Sequence, residues 1–151
     1  MALYPALLLV HLISVVVWVG GMIFVLFCLR PAAIAMLQPP QRIPLLHAAL
    51  ARFFAIVVLA IALLLATGIS MIVLAGTKQV SANWLWMIGL GAVMMTIFFH
   101  VRAAPFVQLG KCVEALDWPA AARQLERIRM AVFVNLALGL ATIAVMKLGR
   151  Y

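Results

Sequence analysis

Acidic side chains are nearly missing from this chain, which has three Asp and Glu in 151 residues against eleven Lys and Arg. All three, Glu114, Asp117 and Glu126, lie in one stretch between apolar runs. An acidic proton relay, or a carboxylate path for a hard cation, therefore has no residues to use. Cysteine is scarce too: Cys28 and Cys112 are too few for a disulfide framework and lack metal-finger spacing. There is no glycine-rich phosphate loop, no Ser-His-Asp set outside the apolar runs and no zinc-protease helix, so nothing in the chain points to hydrolytic catalysis. Charge of either sign is sparse, at 9% of residues where a soluble domain carries roughly 25%.

What the chain has instead is hydrocarbon. Hydrophobic residues make up 69% of it, and the mean hydropathy is +1.27. This is an all-α integral membrane composition, and the net charge of +8 does not imply nucleic acid. Residues 3–29, 53–77, 80–101 and 130–146 carry no formal charge over a length that can cross about 30 Å of hydrocarbon, apart from Lys78 in the turn between two of them. The expectation is a single four-transmembrane-helix domain over residues 1–151, with spans near 4–29, 49–76, 83–103 and 130–148. The first run lacks a basic leader and is long for a signal-peptide core, so it reads as a retained helix.

The bases set the orientation. Arg30, Arg42 and Arg52 fall in the first connection, and Arg102, Lys111, Arg123, Arg127 and Arg129 in the third. Only Lys78, Lys147 and Arg150 fall on the opposite side. An excess of this size places the two long connections in the cytoplasm of a bacterial-type inner membrane, with both termini outside. Cys28 and Cys112 then sit on the reducing side. Arg30-Pro31 is expected to end the first helix, the second to start near Pro44, and Pro105 to kink or end the third. The short turn at 76–83 predicts that the second and third helices are antiparallel neighbours, and Trp84 and Trp86 belong at the outer interface. Asp117-Trp118-Pro119 reads as an N-cap followed by an early helical proline. It opens an amphipathic cytoplasmic helix that runs into the fourth span.

Candidate functional residues centre on His11, about two turns into the first span. An imidazole at that depth is a functional candidate by default. Ser14, Trp18 and Met22 follow it on the same helix side, and Gly20 and Gly21 beside this seam would admit a neighbouring helix. Depth sorts the remaining groups. At 1.5 Å per residue His11 lies about 10 Å below the outer end, and His100 about 24 Å below Trp84. The outer layer then holds His11 with Met71 and Met87, a soft imidazole and thioether set suited to Cu(I); Met22 completes the candidate metal ligands. The inner layer holds His47, His100 and Asn135, with Arg52 near the headgroups. His100 and Asn135 could bond across helices, or His47 and His100 could face one another as ligands to a b-type haem. Each of these residues also has an ordinary structural role open to it: methionine fills cores, and His47 could be a wetted interfacial side chain.

His11-x6-Trp18-Val-Gly20-Gly21, then Phe24 and Leu29-Arg30-Pro31, resembles the first helix of CopD-type copper-resistance membrane proteins. The likeness continues through Arg52-Phe53, Thr67-Gly68, His100 with Pro105, Asp117-Trp118-Pro119-Ala120-Ala121, Arg127-Ile128-Arg129, Asn135 to Gly139 and the terminal Gly149-Arg150-Tyr151. It covers almost the whole chain in the small four-helix form of that family. The resemblance implies inner-membrane copper uptake or tolerance, with His11 the first copper-handling residue and His100 a second. The methionines are no part of that motif. The chain is similar at greater distance to HemJ-type protoporphyrinogen oxidases, small four-helix proteins that bind haem b. Those carry a lysine early in the third helix, where this chain reads Trp84-Leu-Trp-Met-Ile-Gly89 with none.

Three functions are therefore expected in turn. The first is a copper-handling membrane protein, and the second a haem-dependent oxidoreductase or electron carrier. The third is an assembly subunit whose basic third connection, with Trp118, docks on lipid or an acidic partner in a homodimer or larger membrane complex. The orientation has a direct check. Alkaline phosphatase fused after Tyr151 is expected to be active, and a fluorescent protein fused there to stay dark; the reverse pattern would invert the topology.

Overall fold

A chain this apolar has no water to satisfy its backbone, so each spanning segment must close its own hydrogen bonds. The computed structural model, which describes residues 3–76 and 82–148, does so with helices alone, and no strand occurs among the described residues. The order is α1 Leu3–Phe24, a π-helical turn Val25–Leu29, α2 Arg30–Met36, α3 Pro39–Ala75, α4 Ala82–Ala103, α5 Pro105–Glu114 and α6 Trp118–Leu148. Joined across their breaks these give four helices long and apolar enough to cross a membrane: Leu3–Met36, Pro39–Ala75, Ala82–Glu114 and Trp118–Met146. The protein is a multi-pass four-helix membrane bundle. Only between 17% and 28% of each spanning window is buried, and side chains such as Leu9, Val16, Leu59 and Leu65 face outward to form an apolar coat suited to lipid. The Lys78 turn and the terminal Gly149, Arg150 and Tyr151 lie outside the described residues.

The prolines act differently from expectation. Arg30-Pro31 does not end the first helix. Pro31 has no N–H and its ring crowds the carbonyl four residues back, so an α-turn cannot pass through it unchanged. The helix widens instead: the Arg30 N–H reaches the Val25 carbonyl five residues back, and α2 continues to Met36. Pro44 does not start the second helix either, since α3 begins at Pro39 and carries Pro44 in its second turn, where the chain is only starting its hydrogen-bond ladder. At 37 residues α3 is about 55 Å long, well beyond the hydrocarbon thickness, so its N-terminal turns project from it. Pro105 does break the third span: α4 stops at Ala103 and α5 restarts at Pro105. The Asp117 carboxylate accepts from the Ala120 N–H at 3.0 Å, the N-cap expected of it, and α6 runs unbroken from there into the fourth span.

Packing divides the bundle into two pairs. The first pair is α1 along α3 and the second α4 along α6, with α5 folded onto α6. The second and third spans touch, but less closely than expected: α3 lies mainly along α1 and meets the third span at α5 and through the Phe54–Phe98 rings rather than along the backbone of α4. A short turn limits only how far apart two helix ends can be; side-chain fit decides which helices lie together. The pairs are bridged by rings, with Phe54 of α3 edge-on to Phe98 of α4 at 5.5 Å between centroids and Trp18 of α1 edge-on to Phe98 at 6.2 Å.

Burial is densest toward the end of the bundle that holds α5, where Ile43, Leu46, Leu109, Ala121 and Ile128 are all buried. Toward the opposite end it thins, and α4 buries no residue before Met94. Near α5, Glu126 accepts from both Arg30 and Arg129, tying the start of α2 to α6. The three side chains are partly exposed, so this contributes at most about 1 kcal/mol per pair.

Two glycines set the close approaches. A Cβ on Gly21 would lie 2.3 Å from Phe53 Cε2, so the α1–α3 contact requires hydrogen there. At Gly139 of α6 a Cβ would stand 3.1 Å from Val19 Cγ2 and 3.2 Å from Met94 Cε. Gly20, expected to share this role, does not, as it faces open space with nothing within 4 Å. One residue along a helix turns the side chain by about 100°, which separates the two glycines. Gly21→Ala is therefore expected to destabilise the bundle by about 1–3 kcal/mol through overpacking, whereas Gly20→Ala leaves it unchanged or slightly firmer. Thermal midpoints of the detergent-solubilised variants check this.

Candidate functional site

The seam drawn from His11 does face inward. Ser14, Trp18 and Met22 are buried and His11 is half-buried. Hydroxyl groups in hydrocarbon bond back to their own helix when nothing else is offered, and Ser14 does this by donating to the Val10 carbonyl at 2.9 Å. It is not the partner of His11. That partner is Thr67 of α3, whose Oγ1 lies 2.9 Å from His11 Nδ1.

This contact fixes the imidazole's chemistry. A threonine hydroxyl has one proton, and Thr67 donates it to the Leu63 carbonyl at 2.6 Å. Thr67 Oγ1 must then accept from His11, so Nδ1 carries the hydrogen. In its neutral form the ring then has its lone pair on Nε2, the arrangement in which a histidine can bind a metal while its other nitrogen is held by a hydrogen bond. Gly68 lies beside the ring, and a Cβ there would sit 3.5 Å from His11 Cε1. Met71, one turn beyond Thr67 on the same face of α3, is 6% exposed. A neutral imidazole and a buried thioether thus occupy adjacent turns of the α1–α3 seam.

The remaining candidates separate. Met22 is eleven residues along α1 from His11, about 16 Å deeper, so it cannot share one ion with it. Its methyl, like that of Met94, instead lies beside Gly139. Met87 is half-buried in the outer part of α4, which packs along α6 rather than α1 or α3, so the structure does not bring it into the seam. In the inner layer Asn135 donates to the Met94 carbonyl at 3.2 Å, not to His100. His100 is exposed on the perimeter, as is Arg52. His47 stacks on Phe106 of α5, with ring centroids 4.9 Å apart, and its Nε2 lies beside Gly110. The expected facing of His47 and His100 across a shared cleft is absent: one ring packs on α5 while the other points outward. Depth counting along single helices had put the two at one level, and it carries no information on which way each faces. Among the described residues no group of three or more His, Cys, Asp and Glu could hold a metal ion, so a soft site would have to draw on thioethers.

Sequence reasoning missed Thr67 as the partner of His11. The signal was available: counting inward from Gly76 puts Thr67 roughly 13 Å deep, close to the depth of His11. It also missed Gly139, whose role depends on what α1 and α4 place opposite it. A scan against protein-family models and searches of curated proteins and of solved structures each return no match.

The tautomer can be checked directly. In ¹⁵N spectra of histidine-labelled protein, His11 is expected as the Nδ1–H form. Thr67→Val keeps the shape but removes the acceptor, and should lower that population and cost about 1 kcal/mol of stability.

Proposed function

We propose that this chain is an inner-membrane protein that handles Cu(I), receiving it from the outer side at His11. The observation that carries the reading is the His11–Thr67 hydrogen bond, which holds the imidazole through Nδ1 on an inward seam, one helical turn from buried Met71. Imidazole with thioether favours Cu(I) over Zn²⁺, Mg²⁺ or Ca²⁺, and the lack of carboxylate in the spans removes what the harder ions need. The positive cytoplasmic connections orient the His11 end outward. The likeness of the first helix to CopD-type proteins agrees with this reading. Haem is the less supported cofactor, because a bis-histidine site needs two imidazoles converging at one depth.

His11→Ala is expected to remove one Cu(I) equivalent from the purified protein, measured by competition with a chromogenic Cu(I) chelator. Thr67→Val should weaken that site about 10- to 100-fold by freeing the ring, and Met71→Leu should weaken it less. Cells lacking the protein should show altered copper sensitivity. Unchanged affinity and stoichiometry in His11→Ala would overturn the assignment. A preparation from haem-replete cells should be colourless, and a Soret band would favour haem.

A further inference from the structure

Each of the four spans carries one arginine near the end of the bundle that holds α5: Arg30, Arg52, Arg102 and Arg129. Arg30 and Arg129 share Glu126. Asp117 caps α6, and Glu114 closes α5, which lies against the His47 and Phe54 side of α3. Among the described residues no carboxylate pairs with Arg52. Counted back from Ala75, Arg52 stands about 35 Å along α3. That is the level at which about 30 Å of hydrocarbon gives way to lipid headgroups.

The α1–α3 contact decides which way Arg52 faces. The two helices run antiparallel, since His11 meets Thr67 while Gly21 lies against Phe53. One step forward from the Gly21–Phe53 contact, Met22 and Phe54 turn into the core. One step back, Gly20 and Arg52 turn together to the opposite, outward side, and both are exposed. On that side α3 is otherwise apolar. Leu45 lies two turns before Arg52, and Ile56 and Leu59 one and two turns after it, each between 45% and 61% exposed. Gly20 leaves the α1 wall open, with nothing within 4 Å of where a Cβ would stand.

A guanidinium set between exposed apolar side chains, at headgroup depth and with no carboxylate, fits an amphiphile with a negative head and a hydrocarbon tail. A free anion would leave the apolar flanks uncovered, and a second copy of the chain brings only the same three acids. We propose that the outward face of the α1–α3 pair is a binding site for one anionic phospholipid of the phosphatidylglycerol type. Arg52 holds the phosphate with its fork of N–H donors, and an acyl chain lies along Ile56 and Leu59 beside the notch at Gly20. The site does not depend on metal binding at His11.

The experiment titrates the full chain in mild detergent with phosphatidylglycerol and, separately, with phosphatidylcholine of the same acyl chains. Native mass spectrometry counts bound lipid, and the thermal midpoint is followed in parallel. Wild type is expected to hold one phosphatidylglycerol about fivefold more tightly than phosphatidylcholine, the advantage that one basic residue near a membrane surface supplies, and to melt higher in its presence. Arg52→Gln, a change at an exposed position, should lose both the preference and the midpoint shift. Arg102→Gln, an equal loss of charge at the same end, should keep both, and inorganic phosphate in excess should not displace the lipid. A wild-type preference in Arg52→Gln would overturn the site. So would an equal loss in Arg102→Gln, which means diffuse charge attraction, or displacement by phosphate, which means a free-anion site. A wild-type dimer that excludes lipid would overturn it as well and give the face to a second copy.

Discussion

Hydrocarbon offers a polar side chain no solvent to bond with, and this constraint organises the inside of the bundle. Ser14, Ser70, Thr96 and Thr142 each donate to the carbonyl four residues back. Thr67 does so as well, and having given away its proton can only accept from His11. Asn135 has one more group to satisfy than its own helix can serve, so it reaches α4. Among the described residues this accounting leaves two buried side-chain oxygens without a partner, the Oδ1 of Asn135 and the Oε1 of Gln124.

The helix pairing places those atoms. Gly21 lets Phe53 press against α1, drawing α1 and α3 together so that Thr67 meets His11. Gly139 does the same for Val19 and Met94 around α6. The two pairs then join through Trp18, Phe54 and Phe98, and rigid rings meeting edge-on leave the small gap that Asn135 borders. The helix ends near α5 are held more firmly, by buried aliphatic side chains and by Glu126 between Arg30 and Arg129.

The polar interior is sparse: among the described residues the buried polar side chains are Ser14, Thr67 and Asn135, and no carboxylate is buried. Imidazole and thioether donors suit soft ions better than hard ones. Of the two roles open to His47, it takes up a stack on Phe106, while His100 is exposed on α4.

The sequence by itself determined that this is a four-helix membrane protein, which residues cap α6 and that His11, Ser14, Trp18 and Met22 face inward. Hydropathy, local capping and helical periodicity are properties of one segment at a time, so they can be read without a partner. Three features were decided only in the folded chain: that Thr67 holds His11, that Gly21 rather than Gly20 makes the notch, and that Met22 belongs with Asn135 while Met87 stays apart. Each depends on how a helix is rotated and which neighbour it lies against. In a bundle apolar on every side no hydrophobic stripe sets that rotation, and side-chain fit alone selects it.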